Sequence, residues 1–376
     1  MTQTPPVFFL ASAVFCLAIF LSHALSGLFI RLAHRFNLLD YPTSRKRHKR
    51  PTPFLGGAAV FLSFWSVVGG GLVAAQVWGA SPFSLIPRVL GIFLGSLVIF
   101  GVGLVDDKIG LTPLQKLLGQ IVAALILVGF GFSINLVSGL GPFGYLVTFV
   151  WILLIINAFN FIDSLDGHCA GIALISAGTL FWITQIVGQP LTGFFIAAFV
   201  GALAGFLPRN FRPAKIFLGD NGSLFVGYML AAFTLLCRYQ REGFVDATVF
   251  IPVLIFGIPI YDTLSVIAVR LRRGVVPWEG DRNHFAHRLV KMGMSDRVAV
   301  IFSYFIAVTL GLSAILTTQV TFFGAALIGL MFLSILGVIA FLEYYAAKRE
   351  RIIERLAKTK RRRREDIVRF EEEGLR

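Results

Sequence analysis

The sequence predicts an all-α, polytopic integral membrane protein, and three observations carry that expectation. Of the 376 residues 56% are hydrophobic and only 14% charged, a balance outside the range of water-soluble domains that agrees with a mean hydropathy of +0.80. The apolar residues gather in stretches of about 20, the length that crosses a ~30 Å hydrocarbon core. Lys and Arg are confined almost entirely to alternate loops between those stretches.

Eleven stretches can be counted, at roughly 7–30, 55–77, 88–105, 114–134, 143–158, 169–187, 190–207, 222–237, 248–269, 298–317 and 323–345. The first follows Met-Thr-Gln-Thr-Pro-Pro, which has no positive charge and leads to no small-residue cleavage site, so it reads as a retained anchor. Cys16, Cys169 and Cys237 are too few and scattered for a disulfide framework or metal cluster and read as packing residues. Gly91 and Gly95 have the spacing that lets membrane helices pack closely.

With the N-terminus outside, loops after odd-numbered stretches face the cytoplasm. Segments 31–50, 106–116, 208–221, 270–297 and 346–376 then hold 31 of the 34 Lys and Arg, leaving Arg88, Arg238 and Arg241 on the other side. That asymmetry supports an odd span count and a cytoplasmic C-terminus. It divides the chain into a transmembrane domain, 1–345, and a basic juxtamembrane tail, 346–376. The tail, with Lys-Arg-Arg-Arg-Arg at 360–364, reads as a helix running onto the membrane surface. Anionic lipids are its expected partners; nucleic acid is not, because lipid already accounts for a juxtamembrane polybasic run.

Polar residues concentrate in the same loops. Asp106 and Asp107 stand side by side where the third stretch ends, and adjacent carboxylates at a helix mouth repel one another and gain nothing from lipid. Lys116 follows at the start of the fourth. Asn157, Asn160, Asp163 and Asp166 are spaced three apart, so a continuing helix would align them in one stripe of oxygen ligands for a hard cation; a helix cap and turn is the competing reading. Asp220, before Asn-Gly-Ser at the mouth of the eighth stretch, is either a site residue or an N-cap. His284 and His287, with Arg288 beside them, suit phosphate or substrate oxygens; a solvated loop and zinc are the alternatives, and zinc lacks further Cys or His ligands. His48 lies in the basic 31–54 loop, where a headgroup-facing role competes with a direct one.

Carboxylates and amides for Mg²⁺, with Lys, Arg and His for phosphate oxygens, are the ingredients of phosphoryl transfer. No Gly-x-x-x-x-Gly-Lys-Ser/Thr sequence occurs, which speaks against ATP hydrolysis. A secondary transporter or lipid flippase is the rival class. It would place ionisable residues at mid-span, whereas Asp262 is nearly alone there.

Taken together, Asp106-Asp107 with Lys116-Leu-Leu-Gly-Gln, Asn157-Ala-Phe-Asn160-Phe-Ile-Asp163-x-x-Asp166-Gly, Lys215-Ile-Phe-Leu-Gly-Asp220-x-Gly-Ser and His284-x-x-His287-Arg288-Leu resemble the polyprenyl-phosphate N-acetylhexosamine-1-phosphate transferases, over about residues 30–310. The resemblance implies a bacterial inner-membrane enzyme with its site on the cytoplasmic face. It would transfer a sugar-1-phosphate from a UDP-N-acetylhexosamine to polyprenyl phosphate, release UMP and require Mg²⁺, with Mn²⁺ as a substitute and a homodimer allowed. The His-x-x-His-Arg form resembles the branch that takes UDP-GlcNAc for cell-envelope polysaccharides. Gly110, Ser164 and His168 depart from the usual pattern and bear on the donor sugar. By the same resemblance Asn160 and Asp220 hold the metal, and Lys116 and Arg288 neutralise the donor diphosphate, with His284 and His287 shaping that phosphate site. Asn157 and His48 join the substrate contacts. Asp163 and Asp166 lie near the uridine or metal, and Asp106 and Asp107 near the lipid phosphate.

Overall fold

A computed structural model describes residues 5–42, 50–77, 86–134, 143–239, 250–272, 274, 284–346 and 348, with side chains from residue 11 onward. His48, the segment 275–283 and nearly all of the tail lie outside the described residues. Among the described residues thirteen helices follow in order: α1 (Pro5–Arg35), α2 (Gly56–Val77), α3 (Ile86–Ile109), α4 (Pro113–Gly129), α5 (Phe143–Ile162), α6 (His168–Val187), α7 (Pro190–Asn210), α8 (Gly219–Leu236), α9 (Phe250–Ile255), α10 (Gly257–Arg272), α11 (Phe285–Lys291), α12 (Asp296–Thr317) and α13 (Phe322–Ala346). Among the described residues eight are long and apolar enough to cross a membrane. This is a multi-pass membrane protein.

The three other apolar stretches are helical too, and each falls short for a physical reason. Helix α4 has 17 residues, which reach only about 26 Å at the rise of an α-helix. The first turn of α8, Gly-Asp-Asn-Gly-Ser, is polar. The ninth stretch breaks at Phe256 into α9 and α10, because Pro259 has no N–H to give the Ile255 carbonyl and its ring crowds that turn.

One departure from an all-α chain occurs between α1 and α2. Strands β1 (Leu39–Asp40) and β2 (Thr52–Pro53) pair antiparallel, Leu39 with Pro53 and Asp40 with Thr52. The pairing ties the feet of the basic loop together and brings Asp40 and Phe54 beside the helix ends.

Helix α8 is the hub. Every residue from Asn221 to Thr234 is buried, as expected of a helix that is apolar all round and enclosed by others. It packs on α3 and α5, and small residues permit the approach: a Cβ on Gly103 would run into the Asn221 backbone. The Gly91 and Gly95 pair does the same work two to three turns along α3, where the Tyr228 hydroxyl donates to Gly91 O at 3.4 Å. Helices α1 and α7 are joined similarly, with Ser22 donating to Ala202 O at 2.6 Å.

The helix ends sort onto two faces. On one, the exits of α3, α5 and α7 meet the starts of α2, α4 and α8, with α11 alongside. On the other, the α6–α7 turn meets the end of α8, where Gln189 donates to Arg238 O at 2.7 Å.

Candidate active site

The first face opens into a cavity of about 580 Å³. Its wall contains six aspartates, Asp40, Asp106, Asp107, Asp163, Asp166 and Asp220, with Asn160, Ser164, Asn210, Arg212 and His287. They come from β1, α3, α5, α7, α8, α11 and the loops after α5 and α7, so segments remote in sequence converge on one space.

Asp106 and Asp107 are adjacent but do different things. Asp106 pairs with Lys116 Nζ at 2.7 Å and accepts the Leu111 N–H at 2.7 Å. Asp107 turns toward α8, accepting the backbone N–H groups of Asp220 and Asn221 at 2.8 and 2.9 Å and the Asn221 amide at 2.5 Å. Those backbone donors are among the orphans of a helix N-terminus, and a carboxylate there also meets the positive end of the helix dipole. The cap of α8 is therefore Asp107, supplied by another helix. Asp220 is released from capping and faces the cavity. Gly219 makes this possible: its φ of 74° turns the chain sharply into α8, and a Cβ there would meet Phe54 O.

Lys116 bridges two carboxylates, since Nζ also lies 2.7 Å from Asp220 Oδ1. Asn160 donates to the same Asp220 Oδ1 at 2.5 Å and to Ser223 Oγ at 2.8 Å. Its NH₂ group is thus engaged, and its carbonyl oxygen is the atom that can ligate a cation.

The stripe expected from Asn157 to Asp166 holds only in part. Helix α5 ends at Ile162, and Asp163 to Gly167 form a turn closed by Gly167 at φ 77°. Asn160, Asp163 and Asp166 still reach the cavity wall. Asn157 does not: one helical turn back, its amide exchanges hydrogen bonds with Gln120 at 2.7 and 3.2 Å. Asp166 accepts the Ala214 N–H at 3.1 Å and ties the α5–α6 turn to the α7–α8 loop. Asp163 is surrounded by like charge. Burial, and then the neighbouring carboxylates Asp220, Asp107 and Asp166, hold its pKa well above the ordinary carboxylate range, against a smaller opposing effect of Lys116.

Within the His284–Arg288 segment only His287 joins the cavity wall. His284 Nδ1 lies 2.8 Å from Asp262 Oδ2, and Arg288 Nε lies 2.9 Å from Glu343 Oε1. Both side chains pair with carboxylates of α10 and α13, and neither borders the cavity.

The arrangement suits a small hard cation. Apart from His287 the cavity's candidate ligands are oxygen, and among the described residues no three His, Cys, Asp or Glu side chains form a closed metal cluster. Mg²⁺ takes one or two carboxylates, keeps several waters and shares substrate phosphates. Six carboxylates also cannot accept an anionic ligand without added positive charge.

The family model described as glycosyl transferase family 4 matches residues 89–238, from α3 through α8. A Bacillus subtilis (strain 168) protein named "Probable undecaprenyl-phosphate N-acetylglucosaminyl 1-phosphate transferase" is 33% identical over 299 residues, covering 77% of this chain and 80% of that protein. The chain belongs to the polyprenyl-phosphate N-acetylhexosamine-1-phosphate transferases. Members of this transferase family similar to it include a decaprenyl-phosphate N-acetylglucosaminephosphotransferase of Mycobacterium tuberculosis (strain CDC 1551 / Oshkosh), 34% identical over 301 residues, or 73% of this chain and 74% of that one. An undecaprenyl-phosphate alpha-N-acetylglucosaminyl 1-phosphate transferase of Escherichia coli O157:H7 is 27% identical over 362 residues, 92% of this chain and 94% of that one.

Several site residues of this transferase carried no signal of their own. Asp40 and Arg212 sit in loops whose placement depends on tertiary packing, and Arg212 pairs with Asp296 of α12. Asn221 stood within the Asp220 motif, yet only the capping geometry reveals its bond to Asp107. Glu343 gave no hint, being a single charge in the last apolar helix.

Proposed function

We propose that this protein transfers N-acetylglucosamine-1-phosphate from UDP-GlcNAc to a polyprenyl phosphate, forming a polyprenyl diphosphate sugar and releasing UMP, at the cytoplasmic face of a bacterial inner membrane. The observation that carries the reading is the aspartate-lined cavity at the ends of α3, α5 and α8, built from the segments the family shares. Its acidity calls for a divalent cation, and a nucleoside diphosphate sugar brings one. The names of the relatives support the sugar and lipid.

The reaction forms a bond between a lipid phosphate oxygen and the donor β-phosphorus, while the bond from that phosphorus to the bridging oxygen breaks and its electrons leave with UMP. Asp220 and Asn160 would hold Mg²⁺, with Asp163 nearby in the same cavity wall; Mn²⁺ would serve as well. The bound ion supplies charge neutralisation on the diphosphate. Lys116 holds Asp106 and Asp220 at one separation and lends positive charge beside the diphosphate. His287 and Arg212 meet donor oxygens from the far wall. Asp166 braces the turn under the uridine, and Asp106 and Asp107 position the lipid phosphate. That phosphate has a second pKa near ~6 and is mostly a dianion already, so it needs no strong base, and a single in-line displacement suffices. His284 and Arg288 act through the placement of α11, Asn157 through Gln120, and His48 contributes least.

Parity of the helix ends supports eleven crossings. The exits of α1, α3, α5 and α7 border one cavity, which favours a crossing by α4 between the α3 and α5 exits, and crossings by α8 and by the broken α9–α10 before α11. The Glu343 contact returns the end of α13 to the same face, which supports a cytoplasmic C-terminus and an outer N-terminus. The charge asymmetry of the loops agrees.

Purified protein given UDP-GlcNAc, undecaprenyl phosphate and Mg²⁺ should release UMP and make the lipid product. Absence of UMP with every UDP-N-acetylhexosamine tried would overturn the reading; UMP only with UDP-GalNAc would move the sugar alone.

A further inference from the structure

His284 and His287 are three residues apart, yet only His287 reaches the cavity wall. The cause lies in α10. Asp262 is 1% exposed, a position where a carboxylate persists only if its oxygens are matched. Its Oδ2 meets His284 Nδ1 at 2.8 Å, and its Oδ1 accepts the Phe285 N–H, an orphan donor at the start of α11.

Helix α11 has only seven residues, too few to hold a conformation without tertiary contacts. A second attachment lies one turn on. Arg288 donates to Ser265 Oγ at 2.6 Å, and its Nε meets Glu343 Oε1 at 2.9 Å, while Glu343 Oε2 accepts the Tyr261 hydroxyl at 2.8 Å. Residues 284 and 288 lie four apart on one face, and His287 is offset from Arg288 by about 100° of helix rotation. Fixing that face against α10 and α13 therefore fixes the direction in which His287 points.

We propose that Asp262 is the positioning residue for His287: by holding His284 and the first N–H of α11, it sets the helix rotation that presents His287 to the bound donor. Asp262 does not border the cavity and acts through α11. The inference rests on reading the cavity as the site of transfer.

The test is a double-mutant cycle on UMP release with Asp262→Ala, His287→Ala and the pair. Asp262→Ala should lower kcat/KM about tenfold alone, but under about twofold when His287 is already alanine, because residues that act through one another do not add. Asp262→Glu, which keeps the carboxylate, should return activity to within roughly threefold of the parent. If Asp262→Ala does not purify as a single species, His284→Gln takes its place in the cycle, since it breaks one arm and leaves Asp262 to cap α11; the same loss of additivity is expected. Losses that multiply, or an Asp262→Glu protein as poor as Asp262→Ala, overturn the proposal while the parent's turnover leaves the reaction intact. A parent that releases no UMP overturns both.

Discussion

Two acidic centres lie a short distance apart in this protein, and their balance of charge differs. Beneath α11, Asp262 and Glu343 are met by His284 and Arg288, each acid with a basic partner at 2.8 to 2.9 Å. In the cavity six aspartates face Arg212 and His287, with Lys116 behind two of them. In the first centre each acid has a basic partner, and the pairing behaves as structure. The second holds more acid than base, and it is on that imbalance that the proposed cation and, through it, the diphosphate rest. Buried ion pairs and catalytic carboxylates look alike in a sequence; what separates them is whether the protein itself finishes neutralising them.

Substitutions should break this contrast in a definite order. Asp220→Asn removes the carboxylate that faces the cation without disturbing the α8 cap, and turnover should fall about 10³-fold with the protein still folded, on the scale of losing a main electrostatic contact of the transition state. Asp107→Ala should cost about 10²-fold and also lower the melting temperature, because it uncaps the buried hub helix while displacing Asp220; initial rates and a thermal melt read the two effects separately. On the matched side, Glu343→Gln should lower the melting temperature and reduce turnover only about fivefold, since it strands Arg288 rather than touching donor. Replacing both partners, Arg288→Met with Glu343→Leu, should recover most of the lost melting temperature. His48→Ala should change kcat/KM by less than about twofold.

Titration sharpens the same comparison. The Asp163 carboxyl holds its proton well above the usual range, chiefly from burial and then from Asp220, Asp107 and Asp166. A divalent cation prefers the ionised carboxylate, so its binding must displace that proton and its affinity should rise with pH. Calorimetry of Mg²⁺ binding in buffers of different ionisation enthalpy should register proton release, reduced in Asp163→Asn. No such release is expected to change in Glu343→Gln.

How much of this was legible beforehand follows from the physics of each residue. The helices were, because apolar stretches of membrane length are a local property; the break at Phe256, set by Pro259, the short α11 and the two-residue strands escaped. The aspartates were legible as a group, since charge at the ends of apolar runs has few structural explanations. Their division of labour was not. That Asp107 caps α8 while Asp220 is left to the cavity depends on α3 and α8 packing through Gly103, which brings Asp107 to Asp220, 113 residues on. The same holds for His284 and Arg288: their motif marks chemistry, but Asp262 and Glu343, which pair with them, lie on other helices.

The central proposal is that the carboxylates gathered at the start of α8 hold a divalent cation. Titration of Mn²⁺ into purified protein with UDP present, followed by electron paramagnetic resonance, tests it without requiring turnover. The account predicts a bound Mn²⁺ signal in the parent and in Glu343→Gln that is lost in Asp220→Asn. Equal binding by the parent and Asp220→Asn, or none by the parent, would contradict it.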